Sequence, residues 1–361
     1  PANSASERIA PSVQGSPGAT ELVRAWDVCV RKARWNITDL ADNLKTWSWA
    51  DDGDYSKFDE GFFEIGNWTS SFFTGMALLA WRQTRDDYFL QQTLRLSLPY
   101  MEKAAVRHLD MHHDAGFLYT LYSVALYKLT GEKEHRDVGV AAAEALFQRF
   151  NPKGNFIRAW GRLDEPAGQL LDGRTTDNMA IIDCLMNLPL LFWATQESGD
   201  RKFYDAAVKQ ADTTLKCFVR PDDSVCHAYR FDLATGAPLG PDNVCGYGVD
   251  SHWARGSAWA IYGFALAYKY TRDQRYLDVA SRLALKFLSL LDREVVPVWD
   301  FRLPQGEPVF RDASALAVVV CGLQELARQG GEDSKFFHAT RPLLQRLCAD
   351  DYLNADASCR G

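Results

Sequence analysis

The chain reads as an all-α protein built from antiparallel helical hairpins, and three observations carry that reading. Phrases of nearly one form recur: RQTRDDYFLQQ around Tyr88, KLTGEKEHRDV around Glu134, QESGDRKFYDA around Tyr204, KYTRDQRYLDV around Tyr276 and RQGGEDSKFFH around Phe337. Each links one segment of helical apolar period to the next through a short polar turn with an aromatic soon after it, as a helical hairpin does. Within a pair the first helix is the more apolar, as in Ile181 to Phe192 or Ala260 to Tyr268, and reads as the inner member. The second, as in Arg201 to Lys216 or Gln274 to Phe287, carries charge along one face. Finally, 361 residues at 47% hydrophobic content, with no change of composition along the chain, suit one large helical domain better than two.

Taken in order, the first twenty residues are rich in Ser, Pro and Ala and are expected to be unstructured, leaving residues 21–361 as the domain. A lone helix is expected near Glu21 to Ala41, and five hairpins follow. Because every inner helix runs the same way, their N-termini gather at one end. There stand NWTSSFF at Trp68, HHDAGF at Asp114, TTDNM at Asp177, HWARG at Arg255 and RDASA at Asp312. Free N–H groups and positive dipole ends suit such a mouth to an anionic group. The link from Asn151 to Thr176 is Gly- and Arg-rich and sets Trp160 among Arg158, Arg162 and Arg174; loops of that length inside a domain are usually functional. SVCHAYRFDLATGAPL, from Ser224 to Leu239, alternates like a short β-hairpin with a TG turn and should bring His227 to the mouth. VVPVWDFRLP, ending at Pro304, is a further irregular link.

A net charge of −7 without a basic cluster argues against nucleic acid and against long polyanions held by surface charge, while small acidic ligands held by a few buried cations remain open. No apolar run approaches the roughly 20 residues of a membrane span. The eight cysteines lack CxxC spacing and read as buried thiols, with Cys226 and Cys245 the one pair suspected of bridging. The Pro-Ala-Asn start and a sequon at Asn67 inside the mouth, where a glycan would obstruct it, favour a cytoplasmic over a secreted location.

Gly246 to Trp259, reading GYGVDSHWARGSAW, sets Arg255 among aromatics where a long apolar helix begins, a placement suited to an anionic, ring-shaped ligand. Its plainer reading is an ion pair with Asp250, since a buried Arg needs a carboxylate. Asp114 and Asp177 could be simple helix caps worth about 1 kcal/mol each, but both share the mouth with His, Trp and Arg neighbours that capping does not require. The run HLDMHHD, with His108, His112, His113 and Asp114, lacks HExxH spacing and a Cys partner, so no metal is expected. Trp253 reads as core. Trp68 and Trp160 lie in polar loops, where stacking on a sugar is at least as good a reading.

Together NWTSSFFTGM, HHDAGF, TTDNM and GYGVDSHWARGSAW resemble the unsaturated glucuronyl hydrolases, family 88 of the glycoside hydrolases, with the rhamnogalacturonyl hydrolases of family 105 behind them. The resemblance runs from about Trp26 onward. It implies an (α/α)6 barrel, no cofactor, and a small acidic oligosaccharide substrate ending in a 4,5-unsaturated uronic acid. Water is then added across the C4=C5 double bond, and the hemiketal opens to release the aglycone. By the same resemblance Asp177 takes the position of the principal acid/base and Asp114 that of the second carboxylate. Sugar-binding positions fall on Trp68, His113, Trp160, His227, Arg255 and Trp259. A neighbouring carboxylate and an apolar wall raise the pKa of such an acid, while a helix N-terminus lowers it.

Two departures from the family pattern stand out. Cys245 occupies a position usually held by glutamine, which bears on the next sugar or its sulfate. Eleven helices are counted where six hairpins need twelve, so a further C-terminal helix is expected beyond Cys359-Arg-Gly. Competing readings are a rhamnogalacturonyl hydrolase, a conventional inverting glycosidase, a sugar isomerase and a non-catalytic sugar-binding protein. A monomer or weak homodimer is expected.

Overall fold

Four of the five hairpins turn on the same stereochemistry. The hydroxyl oxygens of Thr84, Thr130, Ser198 and Thr271 accept the amides of Asp86, Glu132, Asp200 and Asp273, each at 3.1–3.2 Å. Between each pair sits one residue in the left-handed region: Arg85, Gly131, Gly199 or Arg272. That residue ends one helix, and three of the acidic residues then cap the next. Asp86, Asp200 and Asp273 accept the amides of Tyr88, Lys202 and Arg275 at 3.0–3.1 Å. The recurring phrase is therefore a stop signal and a start signal two residues apart.

The computed structural model describes residues 17–39, 68–164, 173–330 and 334–356. Helix α1 spans Pro17–Asp39 and so begins inside the stretch expected to be unstructured. The five hairpins follow: α2 (Ser70–Thr84) with α3 (Asp87–Leu94) and α4 (Ser97–Ala105); α5 (Ala115–Tyr119) and α6 (Ala125–Thr130) with α7 (Lys133–Gln148); α8 (Leu188–Ser198) with α9 (Arg201–Cys217); α10 (Ala254–Thr271) with α11 (Gln274–Ser289); and α12 (Ala313–Gly330) with α13 (Lys335–Leu347). One wide π-type turn, Thr120–Val124, joins α5 to α6. The main core runs from Ala33 of α1 to Leu343 of α13 and takes residues from every hairpin, and a small second cluster of Ala159, Met179, Ile181 and Ala228 packs against Trp160. Among the described residues no helix is long and apolar enough to cross a membrane.

Short strands decorate the end where the inner helices begin. β1 (Phe150–Asn151) pairs with β2 (Phe156–Ile157), and β3 (Met179–Ile181), β4 (Ala228–Phe231) and β5 (Pro238–Asp242) form an antiparallel sheet in that order. The β4–β5 hairpin is the one the alternation predicts. Its turn is closed by Asp232, whose carboxylate accepts Ala234 N, Thr235 N and the Thr235 hydroxyl. Gly236 there has φ 79° and lies so near Lys153 that a Cβ would stand 2.2 Å from its carbonyl oxygen.

Two expectations are corrected. Cys226 and Cys245 are both free thiols, the first buried beside the Cys217 carbonyl and the second exposed. The third inner helix does not begin at Asp177: that residue lies in a turn leading into β3, and helical structure starts with a 3-10 turn at Ile182–Met186. Residues 178–182 are hydrogen-bonded to β4 and its flanking residues, and that ladder outcompetes the helix which apolar content alone suggests.

Candidate active site

The starts of α5 and α8 are brought together by the absence of a side chain. A Cβ on Gly116 would lie 2.3 Å from the Cα of Asn187, so only glycine permits the approach. Asn187 uses the contact: its side-chain oxygen accepts Phe117 N at 2.7 Å, and its amide nitrogen donates to Asp183 O at 3.3 Å. Asp114, just ahead of α5, and Asp183, in the 3-10 turn ahead of α8, thereby come to face one hollow.

The two carboxylates live in different surroundings. Asp114 stands at the N-cap position yet makes no capping bond, which leaves its oxygens to the hollow. Its Oδ1 is 3.3 Å from Nε2 of fully buried His113. Burial pushes the Asp114 carboxyl up, but His113, His112 and the buried Arg149 outweigh it and hold the group below the ordinary range. Asp183 sits between Ile182 and Cys184, both wholly buried. Burial dominates there, the His113 side chain offsets part of it, the negative charge of Asp114 adds to it, and the Asp183 pKa rises to about 6. Its Oδ2 is buried without a hydrogen-bond partner among the described residues.

His227 lies close to that oxygen, with Nε2 at 3.9 Å. Strand β4 positions it, since the His227 carbonyl accepts Ile182 N beside Asp183 at 2.9 Å. Its Nδ1 accepts the amides of Val244 and Cys245 at 3.0 and 3.3 Å. An imidazole nitrogen that accepts cannot carry a proton, so Nε2 carries it and points an N–H into the hollow. Burial, reinforced by His113, drives the His227 pKa down to about 3 and keeps the ring neutral.

Aromatic rings and one guanidinium line the rest. Trp68, Phe117 and Trp259 form a wall with ring centres 5.2–6.4 Å apart, and the buried indole N–H of Trp259 has no partner among the described residues. Trp160 stands across the hollow, 6.5 Å from the His113 ring and 6.4 Å from that of His227. Arg255, in the first turn of α10, lies over the Trp253 ring at 5.2 Å and donates to the Ser314 hydroxyl at 2.9 Å. Asp312 supplies its counter-charge at 3.5 Å, not Asp250. Trp253 is core, as read, and also serves as the shelf beneath this arginine.

The structure thus gathers Trp68, His113, Asp114, Trp160, His227, Arg255 and Trp259 around one site. Asp177 departs from expectation: it is half-exposed in the turn before β3, where its charge acts on Arg158, and Asp183 occupies the place beside Asp114. Sequence reasoning missed Asp183 and gave no role to Ser314 or Phe117; it placed Asp312 at the mouth but did not pair it with Arg255. A signal for Asp183 was present, a carboxylate inside the apolar run AIIDCLMNLPLL. The sequon at Asn67 and positions 165–172 of the Trp160 loop lie outside the described residues.

Comparison with known proteins bears on this arrangement. Residues 50–281 match the family model described as Glycosyl Hydrolase Family 88. An unsaturated chondroitin disaccharide hydrolase of Streptococcus pyogenes serotype M1 is 33% identical over 340 residues, 93% of this chain and 81% of the relative. An unsaturated glucuronyl hydrolase of Bacillus sp. strain GL1 is 34% identical over 80% of this chain and 76% of its own length. The crystal structure of the unsaturated glucuronyl hydrolase from Bacillus sp. GL1 superposes with a TM-score of 0.79 at 30% identity, covering 92% of this chain and 84% of that one, and such structures are α/α barrels. An unsaturated glucuronyl hydrolase specific for heparin superposes at 0.75 with 28% identity, over 91% and 85% of the two chains.

Proposed function

This chain belongs to glycoside hydrolase family 88, and from that premise we propose that it hydrates the C4=C5 double bond of a 4,5-unsaturated uronic acid at the non-reducing end of lyase-generated oligosaccharides. The observation that carries the reading is the largely buried Asp183, with a pKa of about 6, beside an Asp114 held below the ordinary range. One carboxyl keeps its proton near neutrality while the other is ionised.

Asp183 gives its proton to C4, and positive charge develops at C5 and the ring oxygen. Ionised Asp114 stabilises that charge through its fixed field in a site of low dielectric. Water adds at C5 and returns a proton to Asp183, so the acid is regenerated. The hemiketal opens and the aglycone leaves as an alcohol. Arg255, aimed by Ser314 and Asp312, holds the uronate carboxylate. Trp68, Trp259 and Trp160 stack on sugar faces, and the Nε2–H of His227 donates to the bound sugar. Every group invoked comes from one chain, so a monomer suffices.

The enoate chromophore makes the reading testable. Unsaturated oligosaccharides prepared with chondroitin, hyaluronate, heparin and gellan lyases are incubated with the protein, and their ultraviolet absorbance is followed. Loss of absorbance with release of the neighbouring sugar is expected for at least one of them. Unchanged absorbance with all four rejects hydration, and sugar release with the chromophore intact indicates ordinary glycosidic cleavage.

A further inference from the structure

Arg149 is a buried cation that the chemistry above does not use, and what it binds is unusual. It follows the last turn of α7, is 3% exposed, and makes no ion pair with a carboxylate among the described residues. Its guanidinium donates instead to four main-chain carbonyls: Nε to Arg158 at 2.8 Å, Nη1 to Met111 at 2.7 Å, and Nη2 to Trp160 and Gly161 at 2.9 and 3.0 Å. Those carbonyls belong to two segments. One carries His113 and Asp114; the other carries Trp160. The segments also meet through His113 N and Ala159 O at 3.0 Å, and Ala159 N in turn bonds Met179 O of β3 at 2.9 Å. A planar fork of five N–H donors can hold such a set of fixed acceptors, and an ammonium with three rotating donors cannot.

A guanidinium bonded only to neutral carbonyls makes no direct ion pair, so its charge acts at a distance on Asp114, which in turn supports it. The charged and titratable groups around Asp114 are His112 and His113 on its own loop, Lys103 from α4, Arg149 from α7, and Asp183 and Cys184 from the turn before α8. Arg149 is the one among them that both touches the loop and is charged at neutral pH, although burial and the nearby Arg158 lower its pKa to about 9.

We propose that Arg149 is a positioning residue of this active site: its four main-chain bonds hold the Trp160 indole in register with Asp114 across the hollow, and its charge keeps Asp114 the ionised member of the carboxylate pair. The second half rests on the hydration reading above; the clamp does not.

Two variants separate the halves. Arg149→Lys keeps the charge and loses the fork; Arg149→Met loses both. Both should raise KM for the unsaturated disaccharide about tenfold or more as Trp160 loses its position. Only Arg149→Met should move the acid limb of kcat/KM upward, by about one pH unit, as Asp114 becomes easier to protonate. Folded variants with the parent KM overturn the clamp, and acid limbs that coincide in the two variants overturn the electrostatic half. Hydrogen exchange on the unsubstituted protein gives an arm free of activity and of mutant folding. Peptides 108–114 and 156–161 should exchange as slowly as buried core; exchange as fast as the exposed 232–236 turn refutes the clamp. Should the unsubstituted protein leave every unsaturated disaccharide intact, the hydration reading fails, and the exchange result still decides the clamp.

Discussion

The two ends of the barrel both carry aspartates at helix starts and put them to opposite uses. At the hairpin end Asp86, Asp200 and Asp273 each spend a carboxylate oxygen on a backbone amide and cap a helix. At the mouth Asp114 occupies an N-cap position without capping, and Asp183 leaves an oxygen buried and unpartnered. A cap contributes roughly 1 kcal/mol by satisfying a free N–H, whereas a buried unsatisfied carboxylate oxygen costs stability. That cost is retained only where neighbours compensate locally, and it marks the end at which chemistry is done.

The comparison breaks most visibly in turnover. Asp183→Asn should lower kcat by roughly 10²- to 10⁴-fold, the contribution of a positioned acid, with the uronate still bound. Asp177→Asn and Asp200→Ala should leave kcat within a few-fold, since one lies in the turn before β3 and the other caps α9. Steady-state kinetics on the three variants check this, and a larger loss at Asp177 than at Asp183 would reverse the assignment of the acid.

Stability should move the other way. The Asp183 pKa is raised to about 6 chiefly by burial, so the folded state resists ionising it and loses stability as pH rises from about 4 to about 6. Asp183→Asn should therefore stabilise the protein at pH 8 by up to about 3 kcal/mol, a gain that shrinks as pH falls through 6 and vanishes near 4, where the carboxyl is protonated in both states. Asp114 has the opposite sign. Its folded pKa lies below the ordinary value, so its charge stabilises the fold above about pH 4, and Asp114→Asn should cost stability at pH 8. Denaturant unfolding at pH 8 and pH 4.5 reads both effects; equal shifts of one sign in the two variants would erase the distinction drawn between the carboxylates.

Asp114 also tunes its neighbour. Because its negative charge helps to raise the Asp183 pKa, Asp114→Asn should shift the alkaline limb of the residual activity to lower pH. A pH–rate profile extending well below 6 tests the direction, and an upward shift contradicts it.

Much of this was legible in the sequence because the hairpin end is written in local chemistry. A hydroxyl, a left-handed residue and an acid in three successive positions determine a turn without help from elsewhere, and the five repeats announce the barrel. The mouth is less local. Trp68, Asp114 and Arg255 stand out as polar or aromatic groups at the starts of apolar helices, and the family resemblance adds His113, His227 and Trp259. Asp177 stands out because it lies in a polar segment ahead of an apolar run, whereas Asp183 is hidden inside that run. The decisive pairing of residues 178–182 with β4 lies about fifty residues away in sequence, and no local pattern displays it. The partner of Arg255 was missed for the same reason, since Asp312 arrives from the next hairpin.

Asp312 is where the two uses of aspartate meet, and it gives the finest test. Its Oδ1 accepts Ala315 N at 2.9 Å, a cap like those at the far end, and also the Ser314 hydroxyl at 2.5 Å; its Oδ2 faces Arg255. Asparagine keeps an oxygen for the amide of Ala315 and loses the charge behind the guanidinium. If capping were its whole role, Asp312→Asn would be silent in every assay. If it also aims Arg255, the variant should keep its melting temperature and its kcat while KM rises a few-fold, because a half-exposed ion pair is worth about 1 kcal/mol or less. Asp312→Ala removes cap and charge together and should add to that KM change a stability loss of about 1 kcal/mol. The difference between the two variants measures the cap alone, and what they share measures the hold on Arg255.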